Sequence, residues 1–283
     1  MVRKLIPMAI CYDFDGTLSP GNMQEYGFMD SLQTTPKKFW AKSNNFATEN
    51  SADINLAYMK RMIEEANAKN VPFNKKAFCK YGKSVPLYDG VKEWFDRINQ
   101  YGKEHGIKVK HYIISSGLKE IIECTKIGKC FEAIFASSYI YNVNGIPIWP
   151  ANVVNYTSKT QYIFRINKGC CDINDNKKIN EYVKDEDRPV PFSNMVFIGD
   201  GETDIPAMKM VKVNGGHSIA VYKPTKRDAK TKARKLIEDN RVNVITQADY
   251  KEGSTIDKYV KSLIRKIAAD TEFLKLEKKL KED

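Results

Sequence analysis

The stretch Met8 to Leu18, MAICYDFDGTL, constrains this chain most. Met8, Ala9, Ile10, Cys11 and Tyr12 form an apolar run rich in strand formers. Basic residues precede the run and Gly16 closes it, which predicts a buried strand of a parallel sheet. Asp13 and Asp15 follow at once. In an open α/β sheet ligands bind beyond the carboxyl ends of the strands, so both carboxylates fall where chemistry is expected. Residues two apart on an extended chain point the same way. Two like charges held that close need a cation between them or a proton on one of them. The bland alternative is a surface turn, because Asp-Gly is common turn chemistry.

Other strand ends decide between the two. Val109 to Ile114 (VKHYII) is a second apolar run, ending in Ser115-Ser116-Gly117 before a helical pattern from Leu118. A strand passing through serine into a helix amino terminus makes a phosphate cradle, since hydroxyl and amides donate and the helix dipole favours the anion. Met195 to Ile198 (MVFI) is a third run, followed by Gly199-Asp200-Gly201-Glu202-Thr203-Asp204. Carboxylates four apart, as at Asp200 and Asp204, can share one cation.

Asp-Phe-Asp-Gly-Thr-Leu at the end of an N-terminal strand resembles the first motif of the haloacid dehalogenase superfamily of phosphatases. Ser115 matches its second motif, and Gly-Asp-x-x-x-Asp from Gly199 its fourth. Four elements in order, each at a strand end or helix start, rarely arise by chance. The third motif is a lysine near a helix start. Thr157 or Ser158 caps a predicted helix with Lys159 in its first turn and Lys168 near its end. Nine residues of helix set the two roughly 13 Å apart, so one alone can serve the pocket. The resemblance selects Lys159. Ala133 to Trp149 reads as strand, turn, strand about Asn144-Gly145, similar to a hairpin of the phosphoserine-phosphatase-like branch.

The resemblance implies an α/β fold: a doubly wound parallel, Rossmann-like sheet with an inserted small helical cap. Residues 1–18 and 87–283 form the expected catalytic core and 19–86 the cap. From Ser19 to about Val85 the chain is polar, helical in pattern and dotted with aromatics, which are read mainly as packing. Asp53 is placed to cap a helix carrying Ile54, Ala57, Tyr58, Arg61 and Met62 on one face. The polar stretch from Asn167 to Asn194 is longer than the compact family pattern, and a helix is expected there around Lys178 to Lys184.

The implied reaction is hydrolysis of a phosphomonoester through an aspartyl-phosphate. Asp13 would be the nucleophile and Asp15 the general acid and base. Mg²⁺ would be held by Asp13, the carbonyl of Asp15, Asp200 and, through water or by orienting Lys159, Asp204. Ser115, Ser116, Gly117 and Lys159 would grip the phosphoryl oxygens. The expected substrate is a small phosphorylated metabolite. Phosphoserine would need a cation in the insertion for its carboxylate, and Arg61 is the single arginine there. The alternatives are a phosphotransferase or phosphomutase on the same core, and a basic nucleic-acid-binding protein without turnover.

Composition excludes some classes. No apolar run approaches the ~20 residues of a membrane span. The start, MVRKLIPMAICY, mimics a signal peptide, but its apolar part is broken at Asp13 without a cleavage site. Six cysteines and three histidines offer no Cys-x-x-Cys, so zinc is not expected and reduced thiols in a cytoplasm are the simpler account. The net charge is +11, with basic residues crowding Lys223 to Lys235. These are read as solvated helix faces rather than a nucleic-acid surface, because no nucleic-acid motif accompanies them.

Overall fold

A computed structural model describes residues 5–282, so the first four residues of the signal-like start lie outside the described residues. Seven strands form one sheet in the order β4-β3-β2-β1-β5-β6-β7. They are β1 (Ile6–Tyr12), β2 (Ile107–Leu118), β3 (Ala133–Tyr141), β4 (Pro147–Asn152), β5 (Met195–Gly199), β6 (His217–Tyr222) and β7 (Val244–Gln247). All neighbours are parallel except the β3–β4 hairpin. The chain moves from β1 outward through β2 and β3, then returns to β5 on the other side of β1. The strand order therefore reverses at β1, which opens a crevice beyond the ends of β1 and β5.

The eleven helices are α1 (Phe28–Ser31), α2 (Pro36–Glu49), α3 (Ile54–Ala68), α4 (Lys75–Ser84), α5 (Val91–Glu104), α6 (Lys119–Glu123), α7 (Ser158–Asn167), α8 (Asn176–Asn180), α9 (Ile205–Val213), α10 (Ala229–Glu238) and α11 (Thr255–Glu282). Among the described residues no helix is long and apolar enough to cross a membrane. The unbroken apolar run of β1 follows from helices on both faces. Met8, Ile10 and Tyr12 join the cluster under α5 and α11, while Ala9 and Cys11 join the one under α7 and α9. Each large side chain buried this way contributes about 1.5–3 kcal/mol.

Residues 19–86 contain α1 to α4 and lie between β1 and α5. Side chains start three of these helices: Thr35 accepts from Lys38 N–H, Asp53 from Asn55 and Leu56, and Asn74 from Ala77. The two ends of the segment meet, with the Tyr88 amide donating to the Leu18 carbonyl at 2.9 Å. Its aromatics Phe28, Phe39, Phe73 and Phe78 are buried, as expected, but not in a core of their own. They share one cluster with Tyr12, Trp94 and Ile121 of the rest of the chain.

Three local expectations change. The helix after Ser115 is short, because β2 continues to Leu118, which pairs with Ser137 of β3 across a register shift. The helix of the polar excursion starts earlier, at Asn176, because Asp175 caps it by accepting Lys178 N–H at 2.9 Å. The thiols are not all reduced. Cys79 of α4 is bonded to Cys124 at the end of α6, with Cα atoms 4.9 Å apart. Gly82 permits this approach, since a Cβ there would collide with the Ile121 carbonyl. Cys11, Cys130, Cys170 and Cys171 are free.

Candidate active site

The ends of β1 and β5 are held in register by Asp13 N–H donating to the Ile198 carbonyl at 2.9 Å. This sets Asp13 beside Asp200, while the short 3-10 turn Glu202–Asp204 that leads into α9 brings in Asp204. Carboxylate oxygens of Asp13, Asp200 and Asp204 lie within 4.8 Å of one another. Gly16, at φ +74°, turns the chain away, and a Cβ there would collide with the Asp200 carboxylate.

Lys159, in the first turn of α7, is fully buried behind this group. Its ammonium is 2.7 Å from Asp204 Oδ1 and 3.2 Å from Asp13 Oδ1. Burial drives its pKa down, but Asp13 and then Asp204 outweigh that, and the net shift is upward. The Asp204 carboxyl is nonetheless pushed up by its own burial, against the pull of Lys159. The two shifts agree in sense: one ammonium faces two buried carboxylates, so the lysine stays charged while burial raises Asp204. Lys168, the other lysine of this helix, turns outward and donates to the carbonyls of Ile179 and Glu181 at 2.7 Å.

Asp15 is partly buried, and its Oδ1 accepts from the Met23 amide at 2.9 Å. Desolvation, then the charge of Asp13, holds its carboxyl well above the usual range despite that bond. Asp200 opens to solvent, yet desolvation in the crevice followed by Asp13 and Asp204 raises it too, with Lys159 and Lys226 opposing. Because water reaches it, Asp200 is screened better than the sealed acids.

Ser115 is buried, and its Oγ accepts from Gly117 N–H at 3.2 Å. The Ser116 carbonyl accepts from Tyr58 Oη at 2.7 Å and Ser137 Oγ at 3.2 Å, while its own Oγ has no partner. Asp13, Asp15, Ser115, Ser116, Gly117 and Asp200 line a single cavity of about 1260 Å³. Lys159 and Asp204 lie beneath its floor.

The donor set suits a hard divalent cation. Asp13 Oδ1 is buried with no partner beyond the 3.2 Å ion pair to Lys159, and the cluster consists of carboxylate oxygens alone.

Sequence reading missed part of the cavity wall: Trp40 and Tyr58 from residues 19–86, and Tyr88 and Tyr156 beyond them. Trp40 Nε1 donates to Glu25 Oε1 at 2.9 Å. Nothing in the local pattern separates these aromatics from packing residues. Arg61 does not reach the cavity. Glu64 and Glu65 hold its guanidinium at 2.7 and 2.6 Å, a capture foreshadowed by their i+3 and i+4 spacing.

Residues 10–209 match the family model of haloacid dehalogenase-like hydrolases. An uncharacterized protein of Borreliella burgdorferi is 28% identical over 282 residues, covering 89% of this chain and 95% of that one. Among solved structures, a probable phosphoserine phosphatase from Vibrio cholerae superposes with a TM-score of 0.57 at 13% identity, covering 94% of this chain and 67% of that one. A phospho-aspartyl intermediate analogue of phosphoserine phosphatase superposes with a TM-score of 0.52 at 16% identity, covering 91% and 99%. At such identities the structural matches establish the fold alone, whereas the family model spans most of the chain: it belongs to the haloacid dehalogenase-like hydrolases.

Proposed function

We propose that this chain is a Mg²⁺-dependent phosphomonoester hydrolase acting on a small phosphorylated metabolite through an aspartyl-phosphate on Asp13. One observation carries the reading: Asp13, Asp200 and Asp204 converge at the open end of the parallel sheet over a buried lysine, with Asp15 two residues on. The neighbour captured as a phospho-aspartyl analogue supports it by fold.

A carboxylate oxygen of Asp13 attacks phosphorus, and the bond from phosphorus to the leaving oxygen breaks. Asp15, whose raised pKa keeps a proton at hand, protonates that oxygen. In the second half, Asp15 takes a proton from water, whose oxygen attacks phosphorus and frees Asp13. Lys159 holds Asp13 in place from beneath the floor and offsets the charge of the phosphoryl oxygens from there. The hydroxyls of Ser115 and Ser116 donate to those oxygens. Asp13, Asp200, Asp204 and the Asp15 carbonyl would hold Mg²⁺, which when bound offsets negative charge on the phosphoryl group and the carboxylates. Residues 19–86 act as a cap that excludes water while Asp13 attacks. Four free thiols favour a cytoplasmic setting, where the Cys79–Cys124 bond would be reducible.

The test is release of phosphate from p-nitrophenyl phosphate with Mg²⁺ and no acceptor. Turnover that persists in folded Asp13→Asn protein, or that requires a sugar acceptor, contradicts the reading.

A further inference from the structure

The cavity over Asp13 has two unlike walls. Residues 19–86 present Trp40, Asn44, Ile54, Asn55 and Tyr58, with Glu25 nearby, and contribute no lysine or arginine. The other wall comes from the loop after β6, from α10 and from the turn that follows α10. It carries Lys223, Lys226, Arg227, Lys232, Lys235 and Arg241.

Only the arginines of that wall come within 4 Å of a carboxylate: Arg227 is 3.8 Å from Asp228 and Arg241 3.7 Å from Asp239. Among the described residues the four lysines form no ion pair. Lys159 is sealed beneath the floor and already shared by two acids, so it cannot meet an anion farther out. Any negative group beyond the transferring phosphoryl must therefore be met by the β6–α10 wall. The wall also lines the same cavity as Asp13 and Asp200. At the start of α10, Asp228 makes no side-chain cap, which leaves first-turn amides without that partner.

Resting on the hydrolase reading above, we propose that the substrate is a bis-anionic phosphomonoester whose second phosphate is held by Lys226 and Lys232. Phosphoserine fits less well: its serine carries an ammonium beside its carboxylate, which the lysines of this wall repel, and Arg61 is taken by Glu64 and Glu65. A polynucleotide is less well served. Trp40 and Tyr58 meet edge to face, with centroids 5.9 Å apart, rather than offering parallel faces on which successive bases stack. The cavity volume is also of metabolite scale.

The experiment compares kcat/KM for adenosine 3′,5′-bisphosphate with adenosine 5′-phosphate, and for fructose 1,6-bisphosphate with fructose 6-phosphate. At least one bisphosphate should be preferred by about tenfold or more, the scale of one lost charge-assisted contact. The preference should collapse in the Lys226→Ala/Lys232→Ala protein and shrink with salt. Lys278→Ala, on the far end of α11, should keep it. Calorimetric binding of the same pairs to Asp13→Asn protein reads the second phosphate without turnover, so this inference and the hydrolase reading can fail separately. Equal affinity within both pairs overturns it. So does a preference untouched by the double substitution, or one shown only by a 3′-phosphorylated oligonucleotide.

Discussion

Lys159 and Asp204 bury opposite charges completely against each other, 2.7 Å apart, directly beneath the Asp13 carboxylate. Removing one partner leaves an uncompensated charge in a place water does not reach. Lys159→Met is expected to destabilise the fold by about 3–5 kcal/mol in urea unfolding, because Asp13 and Asp204 then face each other without a cation. Lys159→Met/Asp204→Leu should recover much of that stability while remaining inactive. A single substitution costing less than about 1 kcal/mol would show that the pair is not as dry as its burial indicates.

Cation dependence should be visible without turnover. The crowded carboxylates of Asp13, Asp200 and Asp204 repel one another, so a divalent ion that binds the folded state alone must raise the melting temperature. Mg²⁺ is expected to do so, and Asp200→Ala to abolish the shift. Chelator should stop phosphate release and Mg²⁺ restore it. Ca²⁺, which accepts more ligands, should bind yet inhibit by engaging both oxygens of Asp13. Full activity in Ca²⁺ or in chelator would sink this scheme.

Acid stability should report on His111. Trp94 Nε1 donates to Tyr12 Oη at 2.8 Å, Tyr12 Oη lies 2.9 Å from His111 Nδ1, and Nε2 is 3.1 Å from Asn99 Oδ1. This chain assigns a neutral ring with its proton on Nε2. Burial pushes the imidazole pKa down from 6.5 to about 3. Below pH 6.5 the unfolded chain binds a proton there that the folded chain refuses. The stabilisation is thus complete above pH 6.5 and declines as pH falls from 6.5 to about 3, by about 1.4 kcal/mol per pH unit at most. In His111→Gln that slope should be shallower by one proton. An identical slope would exclude His111 as its source.

The disulfide joins α4 of the inserted segment to α6, closing a loop of 45 residues. Chain entropy allows it about 4 kcal/mol at most. Dithiothreitol, or Cys79→Ala, should therefore lower the unfolding midpoint and speed proteolysis within residues 19–86 ahead of the sheet. Identical midpoints with and without reductant would mean that packing of α4 on α6 suffices alone.

Much of the frame was legible because it is written locally. The run from Met8 to Tyr12 alternates between two apolar clusters, so β1 could be read directly, and Asn144-Gly145 marked the β3–β4 turn. Asp13 and Asp15 stood out because like charges two residues apart demand an explanation. Lys159 was different: among so many lysines only the family pattern selected it, and its complete burial depends on α7, β1 and α9 meeting. The Cys79–Cys124 bond depends on a helix approach that neither sequence neighbourhood announces. The basic run from Lys223 to Lys235 was visible as charge, but not that it would face the cavity. Arg61 carried its own correction in Glu64 and Glu65, four residues of helix that were read for apolar spacing rather than for charge.

The bond between the Tyr88 amide and the Leu18 carbonyl makes residues 19–86 a plug in a socket. Chain ends a single hydrogen bond apart put no strain on the sheet at the point of insertion, so the segment is tied to the rest by its packing and by the Cys79–Cys124 bond. Lengthening the segment raises the closure entropy only logarithmically, about 0.6 kcal/mol per doubling. The length of this segment can therefore change while β1, with Asp13 at its end, stays where it is.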